Sequence, residues 1–224
     1  MKLTFYFAPM STASVTEAVL AELGVAHEVV TLDISAGETR GREFLEVNPN
    51  GRVPAIVHDG VAIWESAAIS LYLGETFGVA LNLFPPAGSR RGEAMKWVIW
   101  TNVNLAEAGG RLAAALPSGT DGGVQENSVD WVAPEERSPR AIEKARRDLD
   151  ACLAVLDRAL EKVSYLLGEY TLVDTHAWAF VGWLTMMQVD LSRFTNISAW
   201  MDRCSARPAL ARLTGASEAE GARR

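Results

Sequence analysis

Short apolar runs and one amphipathic stretch alternate in the first third of the chain. Residues 2–7 have the composition of a buried strand, and residues 27–32 predict a second strand. Between them, apolar residues spaced by three or four predict a helix that ends at Gly24, and Ser14 with Glu17 has the spacing of a capping box at its start. The order strand, helix, strand predicts a right-handed crossover between parallel neighbours.

A second pair of apolar runs flanks Asp59-Gly60, a dipeptide that favours a tight hairpin turn. These runs predict two antiparallel strands, followed by a helix over about 66–77. Pro54 stands at the start of the first strand, where it cannot donate to the sheet. If the Val53-Pro54 bond is cis, the Val53 amide and carbonyl would point away from the sheet and could hold a peptide-like ligand.

From about residue 79 onward the pattern becomes helical. Residues 79–89 form a predicted linker, and residues 91–116 could make one long helix that two adjacent glycines weaken. Residues 117–134 are rich in Gly, Ser and Asp and predict an exposed excursion. Ser138-Pro139 then predicts the capped start of a strongly amphipathic helix.

The last helices are marked by a cap and by a break. Thr171 and Asp174 predict the start of one helix, and a further helical region is interrupted at Pro208 before a polar tail follows Leu213. The sequence therefore predicts an α/β domain at 1–78, a linker at 79–89, an all-helical domain at 90–213 and a tail at 214–224.

Composition narrows the classes of function. The 224 residues are 49% hydrophobic and 22% charged, with a formal net charge of -7 and a pI near 5.1. This balance argues against a nucleic-acid or anionic-membrane partner. No run approaches the roughly 20 apolar residues that span a bilayer, and the first residues do not resemble a signal peptide, so we expect a cytoplasmic protein.

The metal-binding residue types have no spacing that predicts a site. Cys152 and Cys204 form neither a metal nor a CxxC pattern, and in a reducing compartment both are expected to be small apolar residues of helices. The histidines His27, His58 and His176 are scattered, so no metal site and no role is predicted for them.

This order of elements, with Val-Pro before a hairpin and a helical second half, resembles the cytosolic glutathione transferase family. The resemblance covers residues 1 to about 213. Within the family, the chain is most similar to bacterial members of the serine type, theta-like or etherase-like. The resemblance is densest at the segments 48–54, Glu65-Ser66, 171–174 and 206–208. It implies a thioredoxin-like domain with a cis-proline at Pro54, a helical-bundle domain, glutathione as co-substrate and a homodimer.

The resemblance also implies how glutathione binds. The Val53 backbone would pair with the cysteinyl part of the tripeptide. Glu65 and Ser66 would hold the γ-glutamyl end at a helix amino terminus, where free amides and a hydroxyl can receive a carboxylate. The alternative is that Glu65 and Ser66 simply begin a helix. Candidates for the glycine carboxylate are Arg52 and, as helpers, Arg40 or Arg42.

The group that steadies the glutathione thiolate is expected in the loop before the first helix. Ser11 is the first candidate, because it follows Pro9-Met10 as the catalytic serine does in serine-type members and its hydroxyl can donate to sulfur. Thr12 is a close rival, and Ser14 is a third candidate whose oxygen the predicted capping box would occupy. Some family classes place a catalytic tyrosine where Tyr6 stands.

The second substrate is expected between this loop and the long helix of the second domain. An aromatic and polar lining there suits a flat organic electrophile. Two alternatives stay open, because the tryptophans could instead pack between helices or at a dimer interface. Trp131 could contact a lid or serve as an anchor. The candidate lining residues are Met10, Trp97, Trp100, Asn104 and Arg111.

The resemblance thus predicts conjugation of the glutathione thiolate to a small hydrophobic electrophile by substitution or addition, a detoxification chemistry. Two further hypotheses are a non-catalytic ligand-binding or regulatory protein on the same fold, and a glutathione-dependent peroxidase, reductase or etherase. The first 78 residues contain no cysteine, so disulfide exchange through a protein thiol is disfavoured.

Overall fold

The structure is a computed structural model that describes the backbone of residues 2–116 and 138–221 and side chains up to residue 214. The predicted excursion at 117–134, with Trp131, lies outside the described residues. So does the question of whether residues 117–140 form a lid, apart from the helix that begins at Pro139.

The first part of the chain forms a four-stranded mixed sheet with helices. The strand order is β2-β1-β3-β4; β1 pairs parallel with β2 and antiparallel with β3, which pairs antiparallel with β4. The thioredoxin-like domain predicted from the sequence is therefore confirmed. Its elements are β1 (Leu3–Phe7), α1 (Ala13–Leu23), β2 (Glu28–Thr31), a 3-10 turn (Glu38–Arg40), α2 (Arg42–Val47), β3 (Ala55–His58), β4 (Val61–Trp64), α3 (Ser66–Leu73) and a π-helical turn (Gly74–Gly78).

The remaining described elements are helical, as predicted. The long helix expected over 91–116 is present as two helices joined through a π-helical turn, so the adjacent glycines at 109 and 110 do not end it. The elements are α4 (Ser89–Trp100), the π-helical turn (Thr101–Ala106), α5 (Glu107–Ala115), α6 (Pro139–Ala159), α7 (Leu172–Met186), α8 (Thr195–Ser205) and α9 (Pro208–Gly221).

Local sequence signals explain several of these boundaries. The Ser138 hydroxyl accepts a hydrogen bond from the Ala141 amide at 3.2 Å, with Pro139 in the first turn of α6. Thr171 and Asp174 form a reciprocal capping box on α7. Both predicted helix starts are confirmed.

The start of α1 differs from the sequence prediction. Helix α1 begins at Ala13 and the Ser14 hydroxyl donates to the Ser11 carbonyl, so the predicted Ser14 capping box is absent. The Ser11 hydroxyl accepts a hydrogen bond from the Ala13 amide, and the helix begins before Ser14. At the other end of the chain, α9 continues to Gly221, into the segment predicted as a polar tail.

Two apolar cores lie on either side of the contact between α1 and α7. The first packs the sheet against α1 and α3 around Phe5, Leu20 and Ile56. The second fills the helical part around Leu153 and Trp200. Because α1 packs on α7 and α3 packs on α4, the segments that follow the strands lie against the helical domain.

Among the helices that the structure describes, none is both long enough and apolar enough to cross a bilayer.

Candidate functional site

Three connecting segments meet at one end of the sheet. Tyr6 near the end of β1 pairs with Ala55 at the start of β3, and Ala55 pairs with Trp64 at the end of β4. The loop that follows β1, the turn that precedes β3 and the start of α3 therefore lie side by side. These segments carry Ser11, Thr12 and most of the predicted glutathione-binding residues, and Ser14 lies in the first turn of α1 beside them.

The turn before β3 is shaped by the side chain of Asn48, which is 3% exposed. Its amide donates to the Arg52 carbonyl at 2.6 Å, and its oxygen accepts from the Asn50 amide at 3.1 Å. Gly51 has a φ of 60°, and a Cβ there would lie 2.8 Å from the Thr39 carbonyl oxygen. The sequence Asn-Pro-Asn-Gly thus holds the backbone close to the turn at residues 38–40.

A hydrogen bond links the first loop to this turn. The Val53-Pro54 peptide bond is cis, as the resemblance implied, and the Thr12 hydroxyl donates to the Val53 carbonyl at 3.2 Å. The sequence had suggested that this carbonyl is free for a ligand. The Thr12 hydroxyl occupies one of its lone pairs, and the second lone pair remains. For the Val53 amide, we find no acceptor in the described part of the chain.

The Ser11 hydroxyl is held within its own loop. It donates to the Ala8 carbonyl at 2.7 Å and accepts from the Ala13 amide at 3.1 Å. Ser14 donates to the Ser11 carbonyl at 3.1 Å. Each of the candidate hydroxyls, Thr12 included, therefore donates to a backbone carbonyl, and that of Thr12 alone reaches across to the hairpin.

The start of α3 presents polar groups at the same end of the sheet. Glu65 is exposed and has a φ of 73°, an unusual backbone conformation for a residue other than glycine. Ser66 is 5% exposed. For the backbone amides of Ser66, Ala67 and Ala68, no protein acceptor is found among the described residues. An amino terminus with free amides and a hydroxyl can bind an anion such as a carboxylate.

Behind Ser66 lies a chain of buried and partly buried polar side chains that sequence reasoning missed. The Asn102 amide nitrogen lies 2.8 Å from Ser66 Oγ, and its oxygen lies 2.7 Å from Nε2 of His176. Nδ1 of His176 lies 2.8 Å from Oγ of Ser70, one turn after Ser66 on α3. Complete burial lowers the pKa of His176 to about 3, so its ring is neutral at neutral pH.

The arginines predicted for the glycine carboxylate are exposed. Arg40 donates to the Asn50 carbonyl at 3.1 Å, so its guanidinium lies against the turn that carries Arg52. Arg42 pairs with Glu46 on α2. Arg40 and Arg52 are therefore close to the same turn, whereas Arg42 is engaged on its own helix.

The predicted electrophile-site residues are more scattered. Met10 is 85% exposed in the first loop. Trp97 is only 9% exposed and belongs to the helical core, with its ring edge against Trp100 at a centroid distance of 5.3 Å. The structure thus favours the packing alternative for Trp97, and Trp100 is partly buried against the same core.

Two further residues of this group lie near α6. The Asn104 side chain is exposed while its backbone carbonyl accepts a hydrogen bond from the Cys152 thiol at 3.6 Å. Arg111 pairs with Glu107 on its own helix, and its charge acts on Asp148 and Cys152 of α6. Both residues therefore lie next to α6.

Metal ligands and reactive thiols were not predicted, and the described residues contain no group of three or more ligand side chains that could hold a metal ion. Burial raises the pKa of the Cys152 and Cys204 thiols above its ordinary value, which disfavours the thiolate at either position. The candidate site is therefore made of hydroxyls, backbone groups and helix amides.

The chain is similar to known proteins in both sequence and fold. The chain is 29% identical to the disulfide-bond oxidoreductase YfcG of Escherichia coli, over 91% of this chain and 90% of that protein. A ternary complex of BphK, a bacterial glutathione transferase, superposes with a TM-score of 0.78 and 26% identity, over 97% of this chain and 99% of that one.

A third protein is similar in fold. The glutathione transferase URE2P6 from Phanerochaete chrysosporium, solved in complex with oxidized glutathione, gives a TM-score of 0.81 at 24% identity, over 96% of this chain and 95% of that one.

Two family models match the sequence. Residues 1–75 match the glutathione S-transferase N-terminal domain and residues 124–208 match the C-terminal domain of the same family. On these grounds the chain belongs to the glutathione S-transferase family.

Proposed function

We propose that this protein is a glutathione transferase that joins the glutathione thiolate to a hydrophobic electrophile. The observation that carries the proposal is the meeting of three segments at one end of the sheet. The Thr12 hydroxyl, the Val53 backbone and the amino terminus of α3 lie there together. They match the thiol, amide and carboxylate groups of an extended tripeptide.

Glutathione would lie across these segments in a fixed direction. Its γ-glutamyl carboxylate would accept from the Ser66 hydroxyl and the free amides of α3, with Glu65 next to the ligand ammonium group. The free amide of Val53 would pair with the cysteinyl residue. Arg52 and Arg40 are the exposed cations near the turn and would approach the glycine carboxylate.

For the thiolate, we rank Thr12 ahead of Ser11. Ser11 uses both its hydrogen and a lone pair inside the loop, while Thr12 makes one longer contact to the residue that would pair with the cysteinyl group. A free thiol has a pKa of about 8.5, and lowering it by about two units requires about 2.7 kcal/mol of preference for the anion. One charge-assisted hydrogen bond and the α1 amino terminus can supply that amount.

The reaction then follows from an oriented thiolate. The sulfur lone pair attacks an electrophilic carbon and a carbon–sulfur bond forms. In substitution the leaving group departs with its bonding electrons; in addition the electron pair moves to the conjugated position, which takes a proton from water. The protein contributes orientation and stabilisation of the thiolate, and no covalent enzyme intermediate is needed.

Substitutions in the first loop test the ranking. With a chlorinated dinitrobenzene as electrophile, Thr12→Ala is expected to raise the pKa of bound glutathione and to lower kcat/KM by about tenfold or more, while Thr12→Ser keeps both. Ser11→Ala and Ser14→Ala are the comparisons. Normal turnover by Thr12→Ala, with a loss of turnover in Ser11→Ala, would instead assign to Ser11 the hydrogen bond to the thiolate. Normal turnover by all of these variants would remove the loop hydroxyls from the mechanism.

A second candidate function is reduction of disulfides by glutathione. It is favoured by the similarity to YfcG. Because residues 1–78 contain no cysteine, the exchange would run between glutathione and the substrate without a protein thiol. The first glutathione thiolate would attack a substrate disulfide and release one thiolate; a second glutathione would attack the mixed disulfide and give oxidised glutathione and the second thiol. Turnover of a small disulfide, but not of electrophiles, would select this function.

We further propose that the protein is a homodimer in the cytoplasm. Apolar side chains are exposed along β4 and along one face of α4, including Val61, Trp64 and Ile99. A second copy of the chain would cover these side chains. A monomeric mass in solution at micromolar concentration would contradict the dimer.

The non-catalytic alternative has a separate test. Binding of glutathione without any turnover would favour it.

A further inference from the structure

The polar chain behind Ser66 connects one face of α3 to the helical domain at two positions. Ser66 and Ser70 lie one helical turn apart, and Asn102 and His176 from the helical domain bridge them. The three contacts measure 2.8, 2.7 and 2.8 Å. Ser70 and His176 are 2% and 0% exposed, so neither can use bulk water to satisfy its polar atoms.

The direction of this chain follows from Ser70. In the described part of the protein, the Ser70 hydroxyl contacts a single partner, Nδ1 of His176. A buried hydroxyl hydrogen without an acceptor is costly, so Ser70 donates and Nδ1 accepts. A neutral imidazole has one N–H, which must then be on Nε2.

The remaining contacts follow in order. Nε2 of His176 donates to the Asn102 oxygen, which fixes the orientation of that side-chain amide and leaves its nitrogen to donate to Ser66. Ser66 Oγ therefore accepts from behind. Its own hydrogen is left to donate away from the chain, at the amino terminus of α3.

We infer that Asn102 and His176 are positioning residues that make Ser66 a hydrogen-bond donor towards an anionic ligand group. The inference rests on the proposed function, in which that group is the γ-glutamyl carboxylate of glutathione. The opposite direction would turn the Ser66 hydrogen towards Asn102 and present lone pairs to the carboxylate. Selectivity for the carboxylate is therefore set in part from the helical domain.

The substitution Asn102→Asp tests this direction with almost no change of shape. The new carboxylate accepts from both His176 and Ser66, so the Ser66 hydrogen is withdrawn from the ligand. The Kd for glutathione is expected to rise by about tenfold or more. A purely repulsive effect of the added charge would persist when Ser66 is alanine, whereas the effect proposed here would largely disappear in Ser66→Ala.

The double-mutant cycle therefore decides the point. An equal loss of affinity from Asn102→Asp with and without the Ser66 hydroxyl would overturn the inference. A matched pair of ligands gives a second check. Asn102→Asp is expected to weaken the glutathione analogue that lacks the γ-glutamyl amine, and to leave unchanged the analogue that lacks the α-carboxylate. An equal effect on both analogues would also overturn the inference.

His176 gives a conservative rescue. Glutamine can accept from Ser70 and donate to Asn102, so His176→Gln is expected to keep the Kd within about threefold, while His176→Leu weakens binding by about tenfold. KM for glutathione should change more than KM for the electrophile. If thermal transitions show that both variants are folded, equal Kd values for the two would exclude His176 from the polar chain behind Ser66.

The tautomer of His176 can be measured without any ligand or substitution. Ring nitrogen chemical shifts of the free protein are expected to show a neutral imidazole protonated at Nε2 and bare at Nδ1. Protonation at Nδ1 would overturn the inference whether or not glutathione binds. Failure of the unmodified protein to bind glutathione, with the expected tautomer present, would instead reject the proposed function.

Discussion

The buried imidazole of His176 makes the protein sensitive to acid. Its pKa is about 3 in the folded chain, against 6.5 for an exposed histidine, because desolvation disfavours the charged ring. Between these values the unfolded chain binds a proton that the folded chain does not. The contribution of this group to the free energy of unfolding is therefore at its full value above pH 6.5 and falls as the pH decreases towards 3.

The size of the effect follows from the two pKa values. At pH 5 the unfolded state gains about 2 kcal/mol from protonation of this ring relative to pH 8, at about 1.4 kcal/mol per pH unit. His176 should therefore contribute a fall of about that amount to the free energy of unfolding of the unmodified protein between pH 8 and pH 5. Urea unfolding followed by tryptophan fluorescence measures it.

The control is His176→Gln, which removes the titration and keeps a donor and an acceptor. Burial raises the pKa of Asp174, whose contribution has the opposite sign, since a raised carboxyl pKa lowers stability as the pH increases. That contribution is common to both proteins and cancels in their difference. An equal loss of stability by both proteins between pH 8 and pH 5 would refute the assignment of the acid sensitivity to His176.

Three other predictions concern contacts that hold the domains and the site. Arg207 packs its guanidinium over an aromatic ring and binds both carboxylate oxygens of Glu22 at 2.9 and 2.7 Å, so Arg207→Ala should lower the free energy of unfolding by about 1–3 kcal/mol, and Glu22→Gln by less; no change in urea midpoint would contradict this. Gly51→Ala should weaken glutathione binding measured by calorimetry and cost about 1–3 kcal/mol of stability, because the new Cβ meets the Thr39 carbonyl. Asp174→Asn should cost about 2–4 kcal/mol in urea unfolding, since one of its buried oxygens loses its role as an acceptor, and an unchanged midpoint would refute that role.

Local patterns were enough to predict most of the secondary structure. The Asp59-Gly60 turn has positive φ at both residues, 47° and 85°, as a tight hairpin requires. Ser138 and Thr171 start helices through side-chain hydrogen bonds to nearby amides. These features depend on residues a few positions apart, which is why sequence alone reveals them.

The start of α1 shows where local patterns are ambiguous. Ser11, Thr12 and Ser14 can all receive or give hydrogen bonds at a helix amino terminus. The structure uses Ser11 to accept from Ala13 and Thr12 to reach Val53, 41 residues away. The choice depends on the hairpin packing beside the loop, which the spacing of Ser14 and Glu17 does not contain.

The polar chain behind Ser66 could not be predicted from local pattern. Its partners are separated by 36, 74 and 106 residues. The available signal was weak: His176 is a polar residue inside a helix whose other residues are mostly apolar, and Asn102 is a polar residue in the π-helical turn that follows α4. A histidine with no metal partner in sequence gave no reason to connect the two.

Binding of glutathione by the unmodified protein and by Ser66→Ala is the most direct test of the proposed site. Isothermal titration should show binding by the unmodified protein and a Kd about tenfold or more higher for Ser66→Ala, because the carboxylate loses a charge-assisted donor. Ser198→Ala, on α8, should bind as the unmodified protein does. Absence of binding at millimolar glutathione, or equal Kd values for Ser66→Ala and the unmodified protein, would contradict the site.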